Sequence, residues 1–112
     1  MFNMFDVVTV PVTFSEDRTK SKIRRAIILQ VDGELVQLLW ASTQNVNASG
    51  ELPWEFCISD PVEMQAMGHT KAAKYDFRRG GVIVVRKSDI LKVVGQCPKS
   101  VQSRLVRASR NA

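Results

Sequence analysis

Two arginines and a short run of hydroxyl and amide side chains are the residues of this chain best suited to chemistry. Arg24 and Arg25 precede the apolar run AIILQV at 26–31, and Ser42, Thr43 and Gln44 follow the apolar run ELVQLLWA at 34–41. Between the runs stands Asp32-Gly33, a strong hairpin signal because such a pair accepts the positive φ values of a type I′ turn. Pairing the two strands brings the residues before 26 and those after 41 to the same end of a sheet. A guanidinium presents a planar fork to phosphate oxygens and stabilises charge that builds up on a scissile phosphate. A Ser or Thr hydroxyl beside it can hold a neighbouring oxygen. With RNA the substrate's own 2′-OH can act as nucleophile, so this chemistry needs no metal ligands. The same two arginines also read as residues that close the strand and solubilise its edge.

Other common sites are missing from the sequence. It contains no GxxxxGK[ST], GxGxxG or GxSxG, and the Gly80-Gly81 pair reads as a turn, so no nucleotide cofactor is implied. A Ser/His/Asp arrangement would have to use His69, with no nucleophile elbow to accompany it. Cys57 and Cys97 lack CxxC spacing and have only His69 as a further soft ligand. A closed zinc site takes about four such groups, so no metal is expected and both cysteines read as small buried hydrophobes. Glu51 and Glu55 read as solvated groups, and Glu55 and Asp76 are equally readable as acid–base groups or as partners for the abundant lysines and arginines.

The 112 residues fit one domain, 1–112, and 45% hydrophobic with 24% charged residues is globular composition. The net charge of +5 favours polyanionic partners. Its distribution is uneven. Lys20, Lys22, Arg24 and Arg25 form one basic segment, Lys71, Lys74, Arg78 and Arg79 a second, and Lys99, Arg104, Arg107 and Arg110 a third, each equally readable as a solvated face. The opening MFNMFDVVTVPVTF lacks a targeting pattern, and no stretch approaches the roughly 20 apolar residues of a membrane span. The expected location is cytoplasmic, with no membrane contact.

The elements that position these groups follow from pattern. DVVTVPV at 6–12 reads as a strand that Pro11 confines to an edge or a bulge, and the polar residues 13–22 as a long loop. The hairpin strands are apolar on both faces and should be buried on both. After a polar loop at 42–53 comes a strand, WEFCI, and then a short helix capped by Asp60-Pro61 and ending at Gly68. Residues 71–79 are ambiguous, although the alternation of Ala73, Tyr75 and Phe77 argues for a strand. VIVVR is a strand, Ser88 is expected to cap a helical turn ending at Gly95, and the tail carries Val101, Leu105 and Ala108 at helical spacing. Together these predict a mostly β (α+β) fold of roughly five to seven short strands with a C-terminal helix, either a compact, strongly bent sheet or a small barrel.

The order of these segments resembles the MazF/PemK family of toxin ribonucleases. DVVTVPV, TFSEDRTKSK, IRRAIILQ and LVQLLWASTQ look like the family's opening, with Arg24 at its arginine, Arg25 in place of its proline, and Ser42-Thr43-Gln44 at its hydroxyl-bearing end. MGHTKAAKYDF is similar to the family's G-L-x-K-x-S and the strand after it, with His69 for the leucine and Ala73 for the serine, while Phe5-Asp6 replaces Gly-Asp. The resemblance implies an SH3-like barrel that forms a homodimer, cuts single-stranded RNA without a metal as the toxin of a toxin-antitoxin system, and is silenced by an antitoxin protein laid over the same surface. Arg24 would be catalytic, and Ser42, or Thr43 after a one-residue shift, would position the phosphate. Lys20 and Lys22 would contact RNA from the 13–22 loop, with Arg25, Gln44, Trp54, His69 and Lys71 as further contacts. Two other readings use the same residues: a non-catalytic basic module that binds nucleic acid or a peptide, and an inactive relative of the toxins.

Overall fold

The apolar hairpin forms the middle of a single curled sheet. The computed structural model describes all residues except 15, 16, 45, 47–50 and 79, and the side chains of 13–21 also lie outside the description. The strands are β1 (Asp6–Phe14), β2 (Asp17–Asp32), β3 (Leu35–Ser42), β4 (Glu55–Ile58), β5 (Ala73–Asp76), β6 (Val82–Arg86) and β7 (Lys92–Gln96), with helices α1 (Pro61–Met67) and α2 (Lys99–Arg110). Their order is β4-β5-β3-β2-β1-β7, with β6 also paired to β3. One edge of β3 therefore serves two neighbours, β6 along Leu35–Leu39 and β5 at Ala41 and Ser42. This split lets the sheet curl into a half-barrel, closed by a C-terminal helix as the expected small β-barrel requires.

Alternation along the central strands gives each face a core. Val7, Ile27, Leu39 and Ala41 face Phe56, Tyr75, Met67, Val101, Leu105 and Ala108, so the helices cover this side. Val8, Val10, Ala26, Ile28, Val36 and Leu38 face the other way and are closed over by the curl of the sheet with Ile90. The hairpin is thus buried on both faces, as its composition predicts. Pro11 lies beyond the stretch of β1 that β7 covers, Asp6–Thr9, where β1 is an edge and a missing N–H costs nothing on that side. Cys57 and Cys97 are both buried, and no disulfide joins them.

Three local expectations are corrected. The described residues of 13–22 do not form a loop: β1 runs to Phe14 and β2 begins at Asp17, with Thr13 paired to Ser21 and Val12 to Lys22, while residues 15 and 16 lie outside the description. An antiparallel ladder is held by main-chain hydrogen bonds, so polar residues continue it without an apolar period. The hairpin turn is shifted by one residue, for Asp32 pairs with Leu35 and leaves Gly33-Glu34 as the loop. Gly33 has φ 60° while Glu34 has no positive φ, the pattern of a type II′ turn with glycine first rather than type I′. Finally, the segment after Ser88 forms only a 3-10 turn, Lys87–Asp89, and then strand β7. The free edge of β1 supplies hydrogen-bond partners for Lys92–Gln96, and the β-branched Val93 and Val94 suit a strand.

The helices follow their sequence signals. Asp60 caps α1 by accepting from the Glu63 N–H at 3.0 Å, and Gly68 ends it in the left-handed conformation, φ 73°. Val101, Leu105 and Ala108 form the buried stripe of α2. Among the described residues no helix is long and apolar enough to cross a membrane. Because Leu105 anchors α2 on the sheet, Leu105→Ala should lower stability by about 2 to 4 kcal/mol. Urea denaturation checks this as a lowered midpoint with unchanged slope.

Candidate functional site

Neighbouring residues on a strand point to opposite faces, and this divides the two arginines. Val10 pairs with Arg24 and Thr9 with Arg25 across the β1–β2 ladder. Arg24 continues the face of Ala26 and Ile28, and its guanidinium lies 5.7 Å from the centre of the Trp40 ring. Arg25 turns to the opposite face, where its Nε donates to the Gly68 carbonyl and ties β2 to the end of α1.

On the Arg24 face a cavity of about 170 Å³ opens at the junction of β3 and β5, lined by Trp40, Ser42, Gln44, Lys74, Asp76 and Arg78. The β3–β5 register creates it. Ala41 pairs with Tyr75 and Ser42 with Lys74, so Ala41 and Tyr75 go into the core while Trp40, Ser42, Lys74 and Asp76 share the other face. The Ser42 hydroxyl accepts from the Gln44 N–H at 3.1 Å, which leaves its proton free to donate. Thr43 is exposed and does not line the cavity.

The Gly80-Gly81 corner secures both walls. The Trp40 indole N–H donates to the Gly80 carbonyl at 2.8 Å, and the Trp40 main-chain N–H to the Gly81 carbonyl at 3.0 Å. A Cβ at Gly81 would lie 1.7 Å from the Asp76 carbonyl oxygen, so only glycine permits this approach. Elsewhere on the rim Asp76 Oδ1 accepts from the Arg78 N–H at 2.7 Å. The Arg78 guanidinium stacks 3.8 Å from the centre of the Trp54 ring. Behind Asp76, β4 contributes Glu55, opposite it in the ladder. Glu55 Oε1 accepts from the Leu52 N–H at 3.0 Å, and Oε2 lies 3.6 Å from the Lys74 ammonium.

The remaining candidates lie elsewhere. His69 is buried on the core side of β5, its Nε2 and the Tyr75 hydroxyl sharing a hydrogen bond of 2.7 Å. Burial, and secondarily the charge of Arg25, lowers its pKa to about 4; burial raises that of Tyr75. Both are therefore neutral near pH 7. Lys22 and Lys71 are exposed and outside the cavity, Trp54 is covered by Arg78, and the Lys20 side chain lies outside the described residues. The sequence favours a core role for Trp40 over a stacking one, places Lys74 and Arg78 in a basic segment and leaves Asp76 as an acid–base group or an ion-pair partner, and it assigns none of the four to the site. The period-2 alternation around Tyr75 placed Lys74 and Asp76 on a common face, but nothing local indicated which strand would lie beside them.

No family model matches the chain, and no curated protein does. Among the described residues no three His, Cys, Asp or Glu side chains come together as a metal site would need.

The His69 environment predicts a pH effect on stability. Its folded pKa of about 4 lies below its ordinary value of 6.5, so between these values the unfolded chain binds the extra proton. Its contribution is complete above pH 6.5 and is lost as pH falls toward 4, by up to about 1.4 kcal/mol per pH unit. In denaturation series from pH 7 to pH 5, His69→Gln should show a shallower decline than the unsubstituted chain.

Proposed function

We propose that this chain is a ribonuclease of the MazF/PemK kind, cutting single-stranded RNA through the substrate 2′-OH with Arg24 stabilising charge on the phosphate. The observation that carries this reading is the placement of Arg24 5.7 Å from the Trp40 ring, on the face where Trp40 and Ser42 line a cavity with Lys74 and Arg78. Cations and a hydroxyl beside an aromatic wall suit a phosphate and the base attached to it. Ser42 rather than Thr43 is the hydroxyl assigned to the phosphate. Backbone geometry gives separate support: Phe5 stands where the family has glycine and has φ 71°, a conformation that favours glycine. Gly68, matching another family glycine, has φ 73°. On this reading the partners are single-stranded RNA, an antitoxin over the same surface and a second copy of the chain, and the setting is cytoplasmic.

The seclusion of His69 favours a second reading, a non-catalytic module that binds nucleic acid with the same surface. A general base titrating near neutrality is the usual aid to proton transfer, and the sole histidine is bonded to Tyr75 inside the core.

Incubating the purified chain with a long single-stranded RNA and its DNA counterpart, in EDTA, separates the two. The ribonuclease cuts RNA only, and Arg24→Ala lowers the rate by about a hundredfold or more. Intact RNA combined with salt-sensitive binding selects the binding module.

A further inference from the structure

We propose that the cavity lined by Trp40 and Asp76 holds a single nucleobase and selects guanine. The inference rests on the nucleic-acid reading of this surface but not on catalysis. At about 170 Å³ the space suits one planar ring system. One wall is the Trp40 indole, oriented in advance by its bond to the Gly80 carbonyl, and a base of any identity can lie against such a surface.

Discrimination comes from Asp76, which shares the face of Trp40 and lines the same cavity. Asp76 is half-buried, and only Oδ1 has a partner among the described residues, the Arg78 N–H. An ionised carboxylate has about four lone-pair positions and no proton to give, so this side chain accepts hydrogen bonds and repels other acceptors. Guanine presents adjacent N1–H and N2–H donors on its Watson–Crick edge, a pair that a carboxylate accepts in two-pronged fashion, as it does an arginine fork. Adenine and cytosine place an acceptor nitrogen beside their single amino group. Uracil flanks its one N–H with two carbonyls. Each would turn a lone pair toward Asp76. The guanine O6 needs a donor, and the Ser42 hydroxyl proton, the Gln44 amide and the Lys74 ammonium are on the same rim.

Calorimetric titration of the full chain with GMP, AMP, CMP and UMP tests the proposal. GMP should bind roughly tenfold or more tightly than the other three, in the range of a good two-pronged base contact. Asp76→Asn retains the acceptor for the Arg78 N–H but loses one of the two acceptor oxygens, and should bring GMP down to the level of the others. Equal binding of the four nucleotides, binding of none, or a GMP preference that survives Asp76→Asn would each overturn the assignment. RNA cleavage is scored separately: GMP-selective binding by a chain that leaves RNA intact supports the pocket and defeats the catalytic reading. Cleavage without guanine selectivity does the reverse.

Discussion

The register between β2 and β3 governs both the core and the candidate site. Ala26 opposes Trp40, Ile27 opposes Leu39 and Ile28 opposes Leu38, so each cross-strand pair sends both of its side chains to the same face. A slip of one residue on either strand would exchange the faces and put core residues against the wrong partners. The cost would fall on both sides, because Ile27 and Leu39 belong to one cluster while Ala26, Ile28 and Leu38 belong to the other. A sheet with two buried faces is thereby held in one register, and Arg24 is held on the face of Trp40 and Ser42.

The same alternation separates structural from surface groups among residues that look alike in sequence. Arg25 differs from Arg24 by one position, yet it reaches the Gly68 carbonyl at the end of α1. Its charge also acts on the buried His69–Tyr75 pair. On the other side of β5, Lys74 faces the buried Glu55 carboxylate while Asp76 looks into the cavity. Polar groups thus lie on both sides of β5, inside the core on one and beside the cavity on the other.

The cavity walls come from segments far apart in the chain but tied to one short corner. Gly80 and Gly81 hold the Trp40 indole and backbone, and Gly81 packs against the main chain at Asp76. A wall fixed before a ligand arrives costs less ordering entropy on binding. Arg78, stacked on Trp54, extends this fixed surface toward solvent.

Local sequence determined much of the molecule. The Asp32-Gly33 hairpin, the Asp60 cap of α1, the buried stripe of α2 and the end of the sheet shared by Arg24 and Ser42 all follow from spacing and turn chemistry, which act over a few residues. Three features were decided only by the tertiary structure. Residues 13–14 and 17–22 continue a ladder because a neighbouring strand offers hydrogen bonds, and Lys92–Gln96 become a strand because the edge of β1 is open to them. Pairing of β3 with β5 brings Lys74 and Asp76 beside Trp40 and Ser42. Such pairings satisfy main-chain groups, which every residue except proline carries alike, so side-chain pattern does not reveal the distant partner.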